Sequence, residues 1–277
     1  MTRGRVILAA ALAIAALVFA GCGGGGGGTS TTASGTMILA TTTSTRDSGL
    51  LDVLIPAFER ASKCQVKTLA VGSGDALKLG ERGDADVLLV HSPAAEEAYM
   101  QGGHGASRMA VMHNDFVLVG PPSDPARIKG APDVPTALRR IARAREPFIS
   151  RGDDSGTNVK ELALWKTAGI KPSGAWYVET GQGMGETLTI ASQKQGYTLS
   201  DRGTFLATEN LDAKIFVQGG AALRNPYHVI VVRHKGTNLG CAKAFSSWIT
   251  SAPTQRLISR FGVAKYHQPL FFPDAQH

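Results

Sequence analysis

The sequence predicts an α/β protein of two lobes, each built on a mostly parallel sheet, joined by a hinge of two chain passages. Three observations carry that expectation. Strand-like and helix-like runs alternate from the first folded residues onward. Two β-rich runs, residues 114–119 and 227–232, lie far apart in the chain, as two crossings between lobes require. Three donor-rich loops follow strand candidates and open helix candidates, where open α/β sheets hold their ligands.

Taken in order, an apolar strand at 37–40 leads through the hydroxyl-rich segment 41–49 into a helix at 48–61. Apolar residues at helical spacing support that helix, and Pro56 should kink it or mark a junction. A strand at 65–71 meets the glycine turn Val71-Gly72-Ser73-Gly74-Asp75 and a short helix near 75–81. Residues 85–90 read as a buried strand, and 93–101 as a helix ended by Gly102 and Gly103. The chain then crosses into a second lobe, residues 120–226, and returns through 227–232 to a helix pair around Pro253. The first lobe is therefore 36–119 plus 227–277. The basic run Arg139, Arg140, Arg143 and Arg145 reads as the solvated face of a helix.

Within the second lobe, residues 150–157 (SRGDDSGT) are the most informative stretch. A strand candidate at 146–149 precedes them and a helix candidate at 158–166 follows. A loop opening a helix presents unpaired backbone N–H groups, which together with the helix dipole attract an anion. Arg151 adds a full charge and a fork of donors suited to an oxyanion. Residues 41–49 and 71–75 repeat the pattern with hydroxyls; Arg46, after Thr45 in the first, is either a competing cation or a side chain pointing to solvent. Each loop by itself is equally explained as a helix cap, but three together with one arginine favour anion binding.

Arg3 and Arg5, the apolar run 6–20 and Gly21-Cys22 form an export signal over residues 1–21. The segment 18–22 (VFAGC) resembles a bacterial lipobox, with Phe19 where leucine is usual, so Cys22 is the candidate lipid anchor. An ordinary secretory signal is the alternative. Residues 22–35, mostly glycine, serine and threonine, read as a flexible tether. The expected location is extracytoplasmic, periplasmic or at the cell surface. Signal removal takes away Arg3 and Arg5 and lowers the formal charge of +7 by two. That mild excess suits an anionic ligand or membrane surface, while sparse aromatics argue against nucleic acid. Cys64 and Cys241 form a disulfide or remain two buried thiols; sequence leaves both open. The seven histidines show no metal-ligand spacing, so no metal centre or cofactor is expected.

The chain resembles the tungstate-binding proteins of ABC transporters. The matching residues are Thr41-Thr42-Thr43-Ser44, Val71-Gly72-Ser73-Gly74 with Ala76-Leu77-Lys78, and Gly83-Asp84-Ala85-Asp86-Val87. Residues 150–157, 179–185 (ETGQGMG) and 197–201 (YTLSD) also match. The resemblance implies a type II-like periplasmic-binding-protein fold, tungstate captured between the lobes and delivery to a membrane permease by a monomeric receptor. Carried over by position, it implies ligand contacts from Thr42 with its neighbours Thr43 and Ser44, from Ser73, and from Arg151 and Thr157, with Ser155 in the same loop. The family pattern has a histidine after that last threonine, where this chain has Asn158.

Molybdate, sulfate and phosphate receptors share the fold and are the rival readings. A fully deprotonated oxyanion only accepts hydrogen bonds, whereas protonated phosphate also needs an acceptor, which Asp153 or Asp154 would supply. Their alternative roles are to cap the following helix or to orient Arg151. A rival from another class is a serine hydrolase using Ser155. It needs a base such as His113 or His228, which the sequence does not place nearby, so no enzyme is expected.

Overall fold

A computed structural model of the protein describes residues 33–275; the export signal, Cys22 and nearly all of the tether lie outside the described residues. The order is β1 (Ser34–Thr42), α1 (Thr43–Asp47), α2 (Leu50–Ala61), β2 (Lys63–Val71), α3 (Ser73–Arg82), β3 (Val87–Val90), α4 (Pro93–Gln101) and β4 (Gly105–Gly120). Then come α5 (Val134–Ala144), β5 (Phe148–Ser150), α6 (Gly156–Thr167), β6 (Tyr177–Glu179), α7 (Met184–Gln193), β7 (Thr198–Asp201), α8 (Arg202–Ala207) and β8 (Lys214–Gln218). The chain ends with β9 (Arg224–Val232), α9 (Leu239–Ile249), α10 (Ala252–Arg260), α11 (Val263–Tyr266) and β10 (Phe272–Pro273).

One sheet has the order β2-β1-β3-β9-β4-β10. β1 runs parallel to β2 and β3, but β9 runs antiparallel to β3 and β4, and β10 antiparallel to β4. From Phe116 onward, β4 leaves this sheet and pairs antiparallel with β7 and β8 in a second one. A parallel β5-β6 pair is tied to the second sheet by a bridge between Phe148 and Tyr197.

The first sheet is therefore mixed, and the second is antiparallel apart from its bridge to the parallel β5-β6 pair, so neither is mostly parallel as the alternation of elements suggests. Chain path is the reason. β4 carries the chain out and β9 brings it back, so the two oppose each other, and β9 inserts between β3 and β4. β1 also begins at Ser34, inside the stretch assigned to the tether. α2 runs unbroken through Pro56; the break falls earlier, at Gly49, whose φ of 79° suits glycine.

Alternation along the strands divides each lobe's core into two layers. On β3, Val87 and Leu89 face a layer with Leu54 and Phe58 of α2 and Phe245 and Ile249 of α9. Leu88 and Val90 face the opposite layer, with Ala76, Leu77 and Tyr99. Past the crossing, Phe116 and Leu118 pack with Leu138, Ile141 and Trp165, while Val117 and Val119 pack with Met184 and Leu188. A disulfide joins Cys64 on β2 to Cys241 on α9, with Cα atoms 5.8 Å apart, so the thiol alternative is set aside. Parallel strands end where helices begin, so α1, α3, α6 and α7 all start on one side of their sheets, and there the lobes meet.

Candidate anion-binding site

Thr42 caps α1, Gly72 precedes α3, Ser155 caps α6 and Gly183 precedes α7. These four helix starts converge. A Cβ on Gly72 would lie 3.3 Å from the Cα of Ser155, and one on Gly183 would lie 3.6 Å from the Cβ of Thr43. One on Gly156 would stand 2.7 Å from the carbonyl oxygen of His91. First-turn N–H groups have no partners inside a helix, so these starts aim backbone donors into the space between the lobes.

The side chains sort into spent and unspent donors. Thr42 Oγ1 accepts from the N–H of Thr45 and lies 2.7 Å from Thr45 Oγ1 and 3.2 Å from Ser44 Oγ. Ser44 Oγ lies 3.4 Å from His91 Nε2. These hydroxyls are engaged within their own loop. By contrast, Thr43 Oγ1, Thr157 Oγ1 and Arg151 Nη1 are buried with no partner among the described residues. Ser73 Oγ accepts from the N–H of His91, and Ser155 Oγ from that of Asn158, so the hydrogen of each hydroxyl stays free to donate. All seven candidate residues thus lie at the converging helix starts, but five of them keep a free donor.

Arg151 is 2% exposed and lies within 2.5 Å of Asp153 Oδ2 through Nη2. Asp153 Oδ1 accepts from the N–H of Ser155. Asp153 therefore orients the guanidinium and braces the loop, with both oxygens engaged. Asp154 is exposed and does not point a carboxylate into a buried site. Asn158, standing where the family pattern has histidine, donates to Ser150 Oγ and accepts from the N–H of Asp154, holding the loop closed on itself.

Sequence reasoning missed the polar layer beneath these donors. His91 Nδ1 lies 2.9 Å from Asn225 Oδ1, Asn225 Nδ2 donates to Asn114 Oδ1, and Asn114 Nδ2 donates to Asp201 Oδ1. Burial, and then Arg151, push the His91 pKa down to about 3, against the hydrogen bond to Asn225, so the ring is neutral. With Asn225 Oδ1 an acceptor, the proton sits on Nδ1 and Nε2 accepts from Ser44. The only signal for this layer was the position of His91 at the end of a buried strand.

A model of the PBP superfamily domain matches residues 27–253. The tungstate-binding protein TupA of Peptoclostridium acidaminophilum is 49% identical over 245 residues, 86% of each chain. The chain belongs to the TupA-type, tungstate-binding family of solute receptors. Among solved structures, the tungstate ABC transporter protein of Geobacter sulfurreducens matches with a TM-score of 0.74 and 45% identity, over 82% of this chain and 98% of that one. TupA of Desulfovibrio alaskensis G20 matches with a TM-score of 0.70 and 43% identity, over 87% and 99%. The TupA-type fold is the two-lobed type II arrangement, and members of the family are receptors, not catalysts. The bases weighed for the hydrolase reading are engaged elsewhere: His113 pairs with Asp274 and His228 with Glu96, while Ser155 serves as a helix cap.

Proposed function

We propose that the protein captures tungstate as a dianion between its lobes and delivers it to the permease of an ABC transporter. The observation that carries this reading is the set of buried donors Thr43 Oγ1, Arg151 Nη1 and Thr157 Oγ1, without partners among the described residues, beside converging helix starts. An acceptor-only oxyanion satisfies all of them; a protonated one leaves its own hydrogen to be housed. Asp153 and Asp154, the acceptors that would serve phosphate, are respectively engaged and exposed. Ser73, Ser155 and the first-turn N–H groups complete the donor set, while Thr42 and Ser44 shape the loop.

Charge supports the same assignment. Asp153 offsets much of the Arg151 charge, so helix starts must supply the rest, at roughly half a unit each for α3, α6 and α7. The donor lobes close on the ligand, and the closed receptor, a monomer, meets the permease. Export and a lipid on Cys22 would hold it at the outer face of the membrane.

A thermal-shift and calorimetry panel of tungstate, molybdate, sulfate and phosphate tests the reading. Tungstate should stabilise most, molybdate next, and the other two far less. At a thousandfold excess over Kd the gain is about 4 kcal/mol, which stands out clearly. Greater stabilisation by phosphate than by tungstate overturns the assignment.

A further inference from the structure

We propose that Asp201 is a proton-linked determinant of anion capture: its carboxylate takes up a proton as the dianion enters the cleft. The inference rests on the tungstate reading above and adds how the same site is regulated. Asp201 ends β7, caps α8 and is fully buried. Its Oδ1 accepts from Asn114 Nδ2 at 3.2 Å and from the N–H of Thr204 at 2.9 Å. Its Oδ2 is buried with no partner among the described residues.

Two routes join this carboxylate to the donor loop. Thr204 Oγ1 donates to the carbonyl of Ser44 at 3.3 Å. The other route runs through Asn114, Asn225 and His91 and also ends on Ser44. Because a carboxylate only accepts, Asp201 sets the direction of every bond along that second route. A buried carboxylate oxygen without a donor is costly when charged, and a proton placed on Oδ2 displaces no existing hydrogen bond.

The groups facing Asp201 give the sign. Arg151 favours its charge but is held by Asp153; Asp47 of α1, whose Oδ2 is also buried with no partner among the described residues, opposes it. Tyr227 of β9 is held neutral by burial first and then by Asp201, and His91 is neutral. The remaining charges on neighbouring elements are committed elsewhere. Arg46 pairs with Asp47, Arg202 with Asp115, Lys160 lies over Phe116, and Glu186 folds back toward Gly183. Burial already lifts the Asp201 pKa to about 6, against its hydrogen bonds to Thr204. A dianion beside Arg151 adds like charge and lifts it further.

Well below pH 6 the group is protonated with or without ligand, and it adds no pH dependence to affinity. Above that, binding takes up a proton, and affinity falls as pH rises, by up to about tenfold per unit, until the pKa of the bound state is passed. Glu161 is the competing group, lifted by burial to about 7. It accepts from Ser150 Oγ, Trp165 Nε1 and Tyr177 Oη, so protonating it costs a bond.

The test is calorimetry with micromolar sodium tungstate, across neutral to mildly alkaline pH, in buffers of different ionisation enthalpy. The wild-type protein should take up a substantial fraction of a proton per tungstate near neutrality. Asp201→Asn keeps the helix cap and the Oδ1 acceptor. It should bind with no proton uptake, no pH slope, and equal or greater affinity at the alkaline end, while Glu161→Gln should keep the slope. Tight tungstate binding to the wild-type protein without proton uptake overturns the linkage alone, and this measurement stands even if a variant fails to fold. Loss of the slope in Glu161→Gln but not in Asp201→Asn also overturns it. No tungstate binding at any pH overturns the receptor reading and the linkage with it.

Discussion

Arg151 combines two properties that together predict its weight: it is almost fully buried, and Nη1 has no partner among the described residues. Arg151→Ala removes the cation and also leaves Asp153 as an unpaired carboxylate at the site. Truncating one partner of a buried charge pair costs about 2–5 kcal/mol, or on the order of 30-fold to several thousand-fold in affinity. Calorimetry should therefore find tungstate binding nearly abolished, with Arg151→Lys recovering only part because the planar fork is lost. Thr43→Val and Thr157→Val each remove one neutral donor and should cost about 0.5–1.5 kcal/mol, roughly two- to thirteenfold. Near-parental affinity in Arg151→Ala would place the site elsewhere. Arg151, Ser155 and Thr157 were legible because strand, loop and helix are contiguous there. The run Thr41–Thr45 was less so: five hydroxyls in a row do not reveal which one caps the helix and which is left free. His91, Asn114, Asn225 and Asp201 come from four separate strands or strand ends, with partners 134, 111 and 87 residues apart, and no local pattern announces them.

The starts of α3 and α6 were legible because each joins an apolar run to a turn rich in glycine and hydroxyls; α1 was read as loop ahead of a helix at 48–61, and α7 was not read as a helix. α6, read as 158–166, spans Gly156–Thr167. β4 was read as 114–119, where the apolar run 116–119 stands out, because its first part carries Ser107, Arg108 and other residues without a clean alternation. How closely the starts approach each other is a matter of packing, and Gly156 exposes it. Its backbone is ordinary, so alanine is conformationally free there, but the added methyl would stand 2.7 Å from both the ring Nδ1 and the carbonyl oxygen of His91. Backbone cannot yield as a side-chain tip can, and overpacking of this kind costs about 1–3 kcal/mol. Because α6 belongs to the second sheet's layer and His91 to the first, the strain falls on the contact between lobes and leaves each core alone. Gly156→Ala should weaken tungstate binding by about 5- to 150-fold. Its thermal midpoint without ligand should stay close to parental. A large fall in that midpoint would show that the glycine serves the core instead.

The whole molecule is organised by one strand that belongs to two sheets and by the return segment that ends in β9. Between β8 and β9, Gly219 and Gly220 hold φ of 78° and 84°, a backbone that only glycine adopts freely and that absorbs rotation at little cost. Closing the cleft without an anion would carry a penalty, because Thr43 Oγ1, Thr157 Oγ1 and Arg151 Nη1 are buried with no partner among the described residues. Each such group costs about 1–3 kcal/mol, more for a charged one, and an open cleft returns all three to water. Contacts such as Thr204 Oγ1 to the carbonyl of Ser44 and Leu206 against the first lobe's apolar cluster hold the lobes together. Tungstate supplies acceptors to the stranded donors, so it binds the closed state better than the open one, and that difference in affinity moves the equilibrium. Small-angle scattering should accordingly show a smaller radius of gyration with saturating tungstate than without. Gly156→Ala should narrow the difference by holding the lobes apart. An unchanged radius, with binding confirmed by calorimetry on the same sample, would mean that the anion enters a cleft already closed and that closure contributes nothing to its capture.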